Sequence, residues 1–121
     1  MDNLFQNPIS ITGDALFVTD THFGSPSEQE SRVREELLIA LLNQEKSHIR
    51  HLFLLGDIFD FWFEYRDVVP KGNFRLFSTL YDLHQAGVKI YYFTGNHDMW
   101  VQDYFTESFG CQVFYRQQAF V

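Results

Sequence analysis

Val88-Lys89-Ile90-Tyr91-Tyr92-Phe93 is an apolar, aromatic and β-branched run that stops at Gly95-Asn96-His97-Asp98. Its length and makeup predict a buried strand, and the glycine that follows breaks it. The same order recurs twice upstream. Ala15-Leu16-Phe17-Val18-Thr19 ends in Asp20-Thr21-His22-Phe23-Gly24, and His51-Leu52-Phe53-Leu54-Leu55 ends in Gly56-Asp57. Cys111-Gln112-Val113-Phe114-Tyr115 reads as a fourth strand.

Helical patterns fill the intervals. Ser27 to about Ser47 carries a capping-box pair, Ser27 and Glu30, just after Pro26. Glu28 with Arg32 and Glu30 with Arg34 are i,i+4 ion pairs, and Val33, Leu37, Leu38, Leu41 and Leu42 are expected to face the core. Phe74 to Ala86 reads as a second helix stopped by Gly87, and Met99 to Ser108 as a short third. Strand and helix in alternation predict right-handed βαβ units on a parallel sheet, an α/β fold. Ligands of such sheets bind at the carboxyl ends of the strands. The three polar clusters all follow strands, so neighbouring strands bring them into one crevice.

The rest of the chain agrees with one domain. Its 121 residues are 45% apolar and 18% aromatic, too apolar for disorder and long enough for a core. The lone Cys111 excludes an internal disulfide framework and suits a reducing, cytoplasmic compartment. A net charge of −7 disfavours non-specific binding to nucleic acid or anionic lipid, so no nucleic-acid partner is expected. Bound cations reverse that sign locally, which keeps a phosphate substrate in play. The opening Met1-Asp2-Asn3-Leu4-Phe5-Gln6 shows no basic region followed by an apolar stretch. No window approaches the ~20 apolar residues of a membrane span.

The clusters have the chemistry of a metal site. Carboxylate and amide oxygens suit hard divalent cations, and imidazole suits manganese, iron and zinc. Asp20 and His22 alternate across one position, so extended backbone turns both to one side. Asp57, just beyond a glycine, can lie between two ions, and Asn96 offers a neutral oxygen. His97 can act as a proton donor or phosphate contact, with Asp98 holding its ring in one tautomer. Two ions ~3.5–4 Å apart would clamp a phosphoryl group and acidify a water. Each cluster alone has an ordinary role: Asp20 as a cap or turn residue, Gly56-Asp57 and Gly95-Asn96 as turns, His97 as a loop histidine. Those roles are independent, whereas a single site accounts for all three clusters. His48, His51 and His84 read as structural. Asp60 is either a turn cap or a partner near Asp57, and Phe59, Phe61, Trp62 and Phe63 are either core or an apolar ligand surface.

Asp20-Thr21-His22, Gly56-Asp57 and Gly95-Asn96-His97-Asp98 together resemble the calcineurin-like metallophosphoesterases, whose blocks run D-x-H, G-D, G-N-H-[DE], a histidine, then G-H-x-H. The resemblance implies two divalent ions, manganese first and iron or zinc as alternatives. Asp20 and His22 would hold the first ion, Asp57 would bridge, and Asn96 would hold the second. It further implies His97 and Asp98 as catalytic residues and metal-hydroxide attack on phosphorus. Gly56-Asp57-Ile58-Phe59-Asp60-Phe61-Trp62 is similar to the UDP-2,3-diacylglucosamine diphosphatases of lipid A synthesis, in its histidine-bearing relatives. That likeness implies a lipid-linked phosphate substrate and peripheral contact with the inner face of the cytoplasmic membrane. Another phosphoester, or a binding module that has lost its metals, is the alternative.

The last two blocks of the pattern do not occur in residues 1–121. The expectation is therefore the N-terminal βαβ half of a two-sheet sandwich. Such a half would hold metal loosely, hydrolyse little, and self-associate through an uncovered aromatic face.

Overall fold

The computed structural model describes residues 7–121; the opening segment read above for a leader lies outside them. Four strands, β1 (Ala15–Val18), β2 (His51–Leu54), β3 (Lys89–Phe93) and β4 (Gln112–Phe114), form one sheet in the order β1-β2-β3-β4. Every pairing is parallel, with Phe17 opposite Phe53 and Phe53 opposite Tyr91. Crossovers that always advance in one direction with one hand leave their helices on a single face. The helices are α1 (Glu28–Glu45), α2 (Phe74–Gln85) and α3 (Tyr104–Phe109). Among the described residues, no helix is long and apolar enough to cross a membrane.

Alternation along the strands divides two cores. Leu52, Leu54, Ile90 and Tyr92 point to the helices and meet Leu38, Leu42, Leu76, Leu80, Leu83 and Phe105. Each such side chain taken from water contributes about 1.5–3 kcal/mol. On the opposite face Phe17, Phe53 and Tyr91 stack at centroid distances of 4.8 and 4.6 Å. Phe120 lies edge-on over Phe53 and Tyr91, in a segment where residue 120 bridges Ile9. Phe17, at the open end of that ladder, is 60% exposed. Cys111 is fully buried, and burial pushes its thiol up to about 12, so it remains protonated.

Two expectations are corrected. The buried face of α1 is Ser31, Glu35, Leu38, Ile39 and Leu42, whereas Val33, Leu37 and Leu41 are exposed. Polar residues occupy the buried face because each is satisfied there. Ser31 Oγ accepts from the Gly24 N–H at 2.6 Å, and Glu35 accepts from Asn73. The third helix begins at Tyr104 and not at Met99. The buried Glu64 carboxylate accepts from the N–H groups of Gln102 and Tyr104 at 2.9 and 3.0 Å, drawing the preceding residues into a loop. The Tyr104 N–H is one of the donors that a helix start leaves unpaired, so Glu64 caps α3 from outside it.

Candidate metal centre

The first cluster follows β1. Its backbone continues alongside the loop after β2: the N–H groups of Asp20, His22 and Phe23 donate to the carbonyls of Gly56, Asp57 and Ile58 at 3.2, 3.0 and 2.8 Å. The residues are not extended, as their alternation suggested. Asp20 (φ 55°) and His22 (φ 46°) both occupy the left-handed region, where a non-glycine residue is disfavoured. The pair still converges, with His22 Nε2 3.7 Å from Asp20 Oδ1. Arg34 holds this conformation from α1. Its guanidinium donates to the carbonyls of Thr21 and His22 at 3.0 Å each, and to that of Ser25. The expected pairing of Arg34 with Glu30 is replaced by that grip, whereas Arg32 does pair with Glu28 at 2.7 Å.

Asp57 is also left-handed (φ 50°), directly after Gly56 (φ 91°). Its Oδ1 accepts from the His97 N–H at 2.9 Å, which places the second and third clusters side by side. The two glycines make this approach possible. A Cβ on Gly95 would overlap the Asp57 carboxylate and lie 2.7 Å from the Asp57 backbone nitrogen, and one on Gly56 would lie 3.2 Å from Gly95 Cα. We expect Gly95→Ala to cost about 1–3 kcal/mol, the usual penalty of overpacking, and to move Asp57. Chemical denaturation and manganese titration of the same variant check both effects. Unchanged stability with unchanged affinity would contradict the close approach.

His97 Nδ1 lies 2.9 Å from the Asp60 carbonyl, which as a pure acceptor requires the proton on Nδ1 and leaves Nε2 free toward the open side. Asp60 Oδ1 also lies 3.3 Å from His22 Nδ1 and 3.6 Å from His97 Nδ1. Asp60 thus sits between both imidazoles, whose rings meet edge to face at 4.8 Å. Holding Nδ1 of His22 leaves its Nε2 directed to Asp20, the usual arrangement behind a metal-bound histidine.

Asp98 does not orient His97. It is fully buried, and its carboxylate accepts from the N–H groups of Gly95 (2.7 Å), Ile58 (2.9 Å) and Asp57 (3.2 Å) and from the Tyr92 hydroxyl. Burial first, then the adjacent Asp98 carboxylate, hold the Tyr92 phenol far above its ordinary range, so its proton stays in place to donate. Asn96 is exposed between Gly95 and His97, with its backbone carried by the same turn.

Two groups of ligand atoms lie within 4.8 Å of one another: Asp20, His22 and Asp57, and His22, Asp60 and His97. The first joins two carboxylates to one imidazole on backbone held in an unfavourable conformation. That donor set fits a divalent cation of the manganese, iron or zinc type. Two supports escaped the reading of the sequence, and a third was only half read. Arg34 looked like a surface ion-pair partner, Glu64 carried no motif, and Asp60 was left between two roles.

Parallel sheet, convergent clusters and candidate ligand groups together make a candidate divalent-cation site at the carboxyl ends of the strands. Residues 14–120 match the calcineurin-like phosphoesterase family, and the chain belongs to that family. Over 97 residues it is 39% identical to a UDP-2,3-diacylglucosamine hydrolase of Porphyromonas gingivalis, covering 80% of this chain and 37% of the relative. Proteins of the same name from Nitrosococcus oceani and Serratia proteamaculans are 31% and 32% identical, over 81% and 88% of this chain. The chain spans 37% to 42% of the length of these relatives.

Proposed function

We propose that the whole protein is a dinuclear metal-dependent hydrolase that cleaves the diphosphate of a UDP-linked diacylglucosamine. The observation that carries this reading is the convergence of Asp20, His22 and Asp57 within 4.8 Å at the carboxyl ends of β1 and β2. Asp20 and His22 would hold one ion, Asn96 the other, and Asp57 both. A pair of divalent ions, manganese by preference, supplies Lewis acidity at phosphorus and lowers the pKa of a water. His97, with Nδ1 committed to Asp60, presents Nε2 to the phosphate or leaving oxygen. Asp60 and Arg34 keep the two histidines and their loop in place. The names of the relatives support the substrate, and with it a place in lipid A synthesis, at the cytoplasmic face of the inner membrane, is part of the proposal.

The stretch Phe59 to Phe63 divides between core and surface. Phe59 and Trp62 are buried, while Phe61 is 65% and Phe63 43% exposed, the latter against Trp100. Within this stretch, apolar contact with acyl chains falls to Phe61 and Phe63, with Trp100 beside Phe63. Acyl burial is worth about 0.8 kcal/mol per methylene, so a lost contact with two methylenes weakens binding about tenfold. We expect the double variant Phe61→Ser, Phe63→Ser to raise KM for the diacylated nucleotide about tenfold and leave bis-p-nitrophenyl phosphate turnover unchanged. Equal losses on both would remove these rings from substrate binding.

The reading itself is tested by incubating the whole protein and manganese with UDP-2,3-diacylglucosamine and following UMP release. Hydrolysis that requires manganese is expected. Turnover of simple diesters with none of the diacylated nucleotide would assign the site to another phosphoester.

A further inference from the structure

Asp98 and Glu64 form a reciprocal clasp. Asp98, from the loop after β3, accepts from backbone N–H groups of Asp57 and Ile58 in the loop after β2. Glu64, from the latter loop, accepts from N–H groups of Gln102 and Tyr104 in the former, and from the Trp62 indole at 2.9 Å. Both carboxylates are buried, and each accepts from donors on its own side, Trp62 for Glu64 and Gly95 and Tyr92 for Asp98, as well as from backbone N–H groups across the clasp. A buried carboxylate in such a nest is costly to leave half satisfied, so the clasp ties the two loops together.

The two ends of the clasp act on different things. Glu64 reaches only the entry to α3 and the aromatic core. Asp98 reaches the backbone nitrogen of Asp57 and that of Gly95, whose Cα lies against Asp57. Asp57 in turn accepts from the N–H of His97, next to Asn96. We propose that Asp98 is a positioning residue: it fixes Asp57 relative to Asn96 before metal arrives, and Glu64 only stabilises the loops. This rests on the assignment of Asp57 and Asn96 as ligands. In Asp98→Asn the fold of acceptors is broken at one atom. An amide NH2 replaces an oxygen that faces N–H donors, so one loop is pushed off the other.

The test is manganese binding by the whole protein, measured by titration calorimetry and by the exchange-coupled EPR signal of paired ions. Asp98→Asn should bind manganese roughly 10- to 100-fold more weakly, as loss of a supporting partner does, and lose the coupled signal. Glu64→Gln should lower thermal stability while leaving affinity within about twofold. Asp98→Asn affinity equal to wild type overturns the proposal. So does Glu64→Gln weakening manganese as much as Asp98→Asn, because loss of stability alone would then explain both. Hydrogen exchange of the unaltered, metal-free protein covers the case in which Asp98→Asn does not fold. Strong protection of the Ile58 and Gly95 amides is expected, and exchange at unprotected rates would show that the clasp does not precede the metal. Failure of the unaltered protein to bind manganese, by contrast, would refute the ligand assignment itself.

Discussion

Asp57→Asn is expected to leave the whole protein folded and to lower hydrolysis by more than about 100-fold, the upper end of what losing even an outer partner of a metal costs. Fold and function separate cleanly here because the two carboxylate oxygens have different duties. Oδ1 accepts from the His97 N–H at 2.9 Å, and an asparagine carbonyl oxygen can keep that bond. The other position becomes an NH2 group, which cannot ligate a cation. Asp57 is the residue assigned to both ions, so one substitution disturbs the whole centre. Steady-state rates with manganese in excess, beside circular dichroism of the same sample, provide the check. Near-normal turnover would remove Asp57 from the site.

Trp62→Ala is expected to cost about 3–5 kcal/mol of stability, the range for deleting a buried aromatic ring. Trp62 is 1% exposed and packs on Phe59 and Phe105, each at 4.9 Å, and on Phe77 and Tyr104. Its indole N–H donates to the buried Glu64, so truncation also removes one of that carboxylate's donors. Urea denaturation of the variant measures the loss. A cost under 1 kcal/mol would contradict this packing and restore Trp62 as a candidate for substrate contact.

The parallel sheet was readable because the first three strands are apolar runs that break at Asp20, Gly56 and Gly95, and the buried interior strands β2 and β3 demand such runs. The convergence of Asp20, His22 and Asp57 was readable because the motifs follow strands, and strand ends converge. What could not be read was which polar groups have partners. Val33, Leu37 and Leu41 make a good apolar stripe, yet α1 turns Ser31 and Glu35 inward because Gly24, in the loop before the helix, and Asn73, distant in sequence, satisfy them. Asp98 follows His97 in the chain, which suggested that it serves His97. Its carboxylate instead faces backbone N–H groups from 40 residues away, and Asp60 stands at His97. Asp20 and His22 come together as expected but through left-handed backbone, a conformation their spacing does not encode. Arg34 holds that backbone through carbonyl groups, which have no side-chain signature.

The central claim is that Asp57 lies between two ions. Anomalous scattering from crystals of the whole protein grown with manganese tests it directly. The account predicts two peaks ~3.5–4 Å apart, one against Asp20 and His22 and the other against Asn96, with Asp57 oxygens touching both. A single peak within the His22, Asp60 and His97 group, with Asp57 bound to no ion, would contradict it.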